Sequence, residues 1–125
     1  MIIIDNQQFD VGVVNIKRKA DFLDSEATQR LENGDMYRDL IGVYFNYDIK
    51  FEPCTPENYE DYMNLWEKLT EPVEFHDVIV PYNNTTLAFR AYFSNVADEM
   101  MLQHKEKNYW KNLTVNFKSK APAKR

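Results

Sequence analysis

Val43-Tyr44-Phe45-Asn46-Tyr47-Asp48-Ile49-Lys50-Phe51 decides the fold class. Val43, Phe45, Tyr47, Ile49 and Phe51 fall on one side of an extended chain, and Tyr44, Asn46, Asp48 and Lys50 on the other. A period of two over nine residues, filled with aromatic and β-branched side chains, predicts a half-buried strand. Pro53-Cys54-Thr55-Pro56 ends it. Thr55 is placed to cap a helix and Pro56 suits its first position, where the missing N–H costs nothing. Glu57, Glu60 and Asp61 favour the positive end of the helix dipole. Tyr59, Tyr62, Met63, Leu65, Trp66 and Leu69 make one apolar stripe, so a helix is expected over about 56–69, closed by Pro72 and flanking a sheet.

Working outward, Phe9 to Phe22 alternates loosely and turns basic at Lys17-Arg18-Lys19, which predicts an early strand. Residues 24–35 form the most polar internal segment, closed by Asn33-Gly34-Asp35, and are expected to be a long polar loop between strands. Beyond the helix, Val73–Tyr82 and Leu87–Phe93 read as a hairpin around Asn83-Asn84-Thr85-Thr86. Residues 96–107 read as a loop with strand ends, and Tyr109–Phe117 as the last strand. Phe89, Phe93, Trp110, Val115 and Phe117 join the alternating residues above as the expected sheet core. The fold predicted is mainly β (α+β): an antiparallel two-sheet sandwich or barrel with one flanking helix. Residues 1–120 make a single domain, and 121–125 a frayed tail.

Bulk composition agrees. The 125 residues are 44% hydrophobic and 14% aromatic, enough for one ordinary core. Only three glycines are present, which argues against phosphate-cradling loops. Residues 1–104 carry 8 Lys/Arg against 19 Asp/Glu, a net of −11, whereas 105–125 carry 7 Lys/Arg and one acid, a net of +6. A solvated basic end is the plain reading. The sharper one is a dipolar subunit whose basic part meets an acidic surface on the next copy. Cys54 is single, so no intrachain disulfide can form. The apolar start Met1-Ile2-Ile3-Ile4 is too short for a signal peptide, and no stretch approaches the roughly 20 apolar residues of a membrane span. A soluble chain made in the cytoplasm is expected.

Catalytic patterns are missing. His76 and His104 lie 28 residues apart, and His76 is expected at a surface or edge rather than on a metal. Cys54 has no base near it in sequence, and Glu60-Asp61 and Asp98-Glu99 read as solvated acids. No Walker loop, nucleophile elbow or dinucleotide fingerprint occurs. No cofactor and no metal are expected. Tyr44, Tyr92 and Tyr109 could stack bases, but the outer face of the central strand supplies only Lys50 as a cation. Aromatics packed in a core or subunit interface are preferred, with no specific nucleic-acid partner.

Four stretches carry a family likeness: Arg38-Asp39-Leu40-Ile41-Gly42-Val43-Tyr44-Phe45-Asn46-Tyr47; Pro56-Glu57-Asn58-Tyr59-Glu60-Asp61-Tyr62 leading to Leu69-Thr70-Glu71-Pro72-Val73; Val80-Pro81-Tyr82; and Asn108-Tyr109-Trp110-Lys111-Asn112-Leu113-Thr114-Val115-Asn116-Phe117. In order and spacing the chain resembles the small tail structural proteins of siphophages and prophages of Gram-positive bacteria, of tail-tube or distal-tail type. The resemblance implies a virion subunit with two packed sheets, joined side by side into rings, hexameric if tube-like, alongside other tail proteins. It assigns the stacking role to the 24–35 loop, with Asp24, Glu26, Arg30, Glu32 and Asp35 as its polar contacts. The alternative is a monomeric β-barrel or sandwich that binds a small ligand or peptide. An enzyme on a cupin-like or cystatin-like scaffold lacks its ligand and nucleophile sets.

Overall fold

A computed structural model describes residues 2–26 and 28–124. The chain is mainly β with one helix, as the alternation predicts. Its strands form two antiparallel sheets of unequal size, seven strands and two, and the larger is not closed into a barrel. Across the large sheet the order is β2 (Gln7–Gln8), β1 (Ile3–Ile4), β7 (His76–Tyr82), β8 (Thr85–His104), β9 (Lys107–Ser119), β6 (Leu40–Phe51) and β3 (Val13–Asp24). The small sheet pairs β4 (Gln29–Arg30) with β5 (Met36–Tyr37).

The core lies between the sheet and α1 (Tyr59–Leu69). Tyr47, Ile49 and Phe51 of β6 are buried with Val115 and Phe117 of β9, against Tyr62, Leu65 and Leu69 of the helix. Tyr59, Met63 and Trp66 pack on this cluster half-buried, as do Phe45, Phe89, Phe93 and Trp110. Val43 lies farther along β6, half-buried and outside the cluster.

The helix starts three residues later than its sequence suggests. Thr55 does not cap it, and Pro56 lies in a turn ahead of it. The reason is Asn58, whose buried side chain serves the junction and leaves the helix amides alone. Its Oδ1 accepts from the Thr55 amide at 2.6 Å, and its Nδ2 donates to Glu52 Oε1 and the Pro53 carbonyl. The Asn58 amide returns a bond to Thr55 Oγ1.

Residues 96–107 are not a loop. They complete a long β8–β9 ribbon whose register runs to His104↔Lys107. Three irregularities interrupt it, and Asn95 (φ 55°) and Asn112 (φ 56°) take the left-handed conformation beside the first two. Asparagine is among the few side chains that tolerate that region, so the extra residues are absorbed as bulges and the strands continue. Alternation fails in sequence at these points, which hides the strand.

Of the tail expected to fray, residues 122–124 are tied down, and Arg125 lies outside the described residues. Val43 donates to the Lys124 carbonyl at 2.8 Å, and the Ala123 amide donates to the Val43 carbonyl. A Cβ on Gly42 would stand 2.6 Å from Pro122 Cβ, so glycine lets the tail lie against β6.

Candidate assembly interface

β6 pairs with β9 only from Asn46 to Lys50, and each ribbon runs on past that shared stretch as a separate prong, the two at opposite ends of the sheet. One prong is the outer part of β3–β6, in register from Ala20↔Phe45 to Asp24↔Leu40. It carries the small β4–β5 sheet at its tip. The other is β8–β9 beyond its bulges. Large apolar side chains stand in solvent on both. Phe22 is 58% exposed and Met36 53%, with Leu23, Leu31, Tyr37, Leu40 and Ile41 beside them in the sequence of the first prong. Met100, Met101 and Leu102 are exposed on the second. On the first prong alone seven large apolar side chains stand in solvent, more than a monomer usually leaves on one segment.

The 24–35 segment is the polar connection expected between β3 and β6, with the two-residue β4 inside it. Asp24 closes β3 and accepts from Arg38 Nε at 2.7 Å, while Arg30 lies on β4 and donates to the Gly34 carbonyl. Asp35 accepts through its carbonyl from the Leu31 amide, and Glu26 and Glu32 are exposed. Ser25 donates to Asp39 Oδ2 at 2.6 Å, and the Asp39 amide donates to Thr28 Oγ1. The polar residues of this segment thus bind one another and fold the tip, which is why it needs no core. Sequence reading saw its polarity and missed the apolar flank. The available signal was Leu31, Met36, Tyr37, Leu40 and Ile41 recurring around residues too polar to share a core with them.

Backbone edges are also open. No described residue pairs with the outer edge of β3, and β8 has no partner on its β7 side beyond Ala91. Unpaired edges of this length are templates for another strand. Lys17, Arg18 and Lys19 on β3 guard that edge against indiscriminate pairing.

His76 is buried, 3% exposed, rather than at the surface. It stacks on Phe93 at 4.4 Å, which stacks on Phe117 at 4.3 Å. Its Nδ1 lies 2.6 Å from Asp5 Oδ2. Burial raises the Asp5 pKa, but the bonds from His76 and the Asp77 amide, with the nearby charges of His76 and Lys68, bring it below the ordinary value. Asp5, Glu71 and His76 could offer three metal ligands within 4.8 Å of one another. The Lys68 ammonium, 2.9 Å from Glu71 and 3.7 Å from Asp5, already supplies a cation there. The cluster fastens the N-terminal hairpin to α1 and β7.

Cys54 is buried, and that burial pushes its thiol pKa up, away from the thiolate a nucleophile needs. Asp98 accepts from Tyr62 Oη at 3.1 Å and ties the second prong to the helix. Burial raises its pKa, and Tyr62 is raised by burial and by the adjacent carboxylate.

Among the described residues no helix is long and apolar enough to cross a membrane. No family model matches the chain, and a search of curated proteins finds no match.

Proposed function

We propose that the chain is a non-enzymatic structural subunit of a phage or prophage tail, which assembles with copies of itself into rings, hexameric in a tube-like role. One observation carries self-assembly: large exposed apolar side chains stand on both prongs, at the two ends of the sheet. The open edges of β3 and outer β8 give such an assembly its backbone partners, since joining one copy's edge to the next removes both liabilities at once. The tail assignment draws on the sequence resemblance, and localisation to the virion tail and contact with other tail proteins follow from it.

Light scattering behind size exclusion, across protein concentration, tests this reading. Discrete oligomers are expected, and replacing residues 25–38 with a short turn should return a folded monomer. A chain of 14.9 kDa at every concentration would sink self-assembly. It would favour a monomeric ligand-binding domain, whose best site is an open cleft of about 330 Å³ lined by Arg18, Phe45, Tyr47 and Tyr82.

A further inference from the structure

On the bare face of the large sheet, among the described residues, three unpaired lysines outnumber the unpaired carboxylate between them, Asp48, whereas the outer side of α1 carries unpaired acids. One face is covered by α1. On the bare face, Lys17 of β3 stands opposite Asp48 of β6, and Lys118 of β9 stands opposite Asn46 of β6 and Tyr92 of β8. Lys50 lies two residues along β6 from Asp48, on the same side. Among the described residues, no carboxylate comes within ion-pair distance of Lys17, Lys50 or Lys118. Lys19, on the same face, is paired with Asp21. The central strand alone shows one lysine; its neighbours supply the rest, which a reading of single strands could not find.

Across the molecule, α1 buries Tyr62, Leu65 and Leu69 and turns Glu60, Asn64 and Glu67 to solvent. Glu57, Glu60, Asp61 and Glu67 have no cation within ion-pair distance among the described residues. The spacings correspond. Two strand separations and a two-residue offset along β6 put Lys17 and Lys118 about 12 Å apart. Seven helical residues put Glu60 and Glu67 about 10 Å apart.

We propose that the bare face of the sheet is the docking site for the acidic outer stripe of α1 on a second copy. It rests on the self-assembly reading and adds a contact separate from the two prongs. Lys17 and Lys118 would meet Glu60 and Glu67 across the strands, and the exposed ring of Tyr92 lies beside Lys118 as an apolar anchor. Because donor and acceptor lie on opposite sides of one subunit, the contact is heterologous, joining front to back.

The test is a charge swap followed by sedimentation velocity on the full chain. Lys17→Glu with Lys118→Glu, and separately Glu60→Lys with Glu67→Lys, should each weaken association about tenfold or more. An equimolar mixture of the two variants should recover mixed oligomers, and neutral Lys17→Gln with Lys118→Gln should fall between. Circular dichroism confirms that each variant is folded. Oligomers unmoved by both reversals, yet lost when 25–38 is replaced, would overturn this contact and leave self-assembly standing. A monomer throughout would overturn both. A bare face that binds a single-stranded oligonucleotide, with oligomers indifferent to the helix reversal, would mark a polyanion site and overturn the proposal.

Discussion

The part of the sheet beneath α1 and the first prong, beyond Asn46, use opposite ends of the same β6 strand. Toward Phe51 its inward side chains are buried, with Tyr47 1% exposed. Toward Leu40 the same alternation continues with less cover: Phe45 and Val43 are half-buried, and Ile41 is 46% exposed. Periodicity reports which residues share a side of a strand. It does not report whether anything lies against that side. One region is stabilised by packing within the chain. The other is held by backbone pairing and short polar bonds, and its large apolar side chains stand in water.

The largest expected break in this contrast is Phe117→Ala. Phe117 is fully buried and stacked on Phe93. Its truncation should cost about 3–5 kcal/mol in denaturant unfolding. Asn58→Ala should follow at about 1–3 kcal/mol, because the Thr55 amide and the Pro53 carbonyl lose their partner at a buried junction. Gly42→Ala comes next, at about 1 kcal/mol from overpacking. Hydrogen exchange should then show faster exchange at the Ala123 and Lys124 amides, because the tail must move off Val43. Phe22→Ser with Met36→Ser should barely change stability, by roughly 0.5 kcal/mol at most, since both side chains are already in water. Association should fall sharply in that variant, and unchanged oligomers would remove the first prong from the interface.

The smallest effect depends on pH. Asp98 titrates above its ordinary value in the fold because burial disfavours its charge. Its stabilising contribution is therefore complete below the unfolded value of about 3.9 and is lost as pH rises through the folded one. Asp98→Asn should melt higher than the parent at neutral pH, and the gap should close as pH falls toward 4. A gap that widens on acidification would show that the carboxylate, not its burial, governs the site.

Much of the packed region was legible from residue order: the central strand, the helical stripe and the last strand all announce themselves by period. What stayed hidden has particular causes. Asn95 and Asn112 break the alternation of a strand that nonetheless continues. Asn58 spends its side chain on the strand–helix junction, so a helix that looks capped at Thr55 begins later. His76 looks peripheral until the Asp5 hairpin folds over it from 71 residues away. The candidate interface was half legible. Its polar residues were visible in 24–35, whereas the lysines of the bare face come from three strands and converge only after pairing.

The left-handed asparagines have a consequence for size. If copies join along the open edge of β8, the angle at which that edge leaves the subunit is set by Asn95 and Asn112, behind the contact itself. Ring diameter then becomes a property of two backbone dihedrals. Evolution could retune the number of subunits by moving one bulge along the ribbon, without redesigning a single contact between copies.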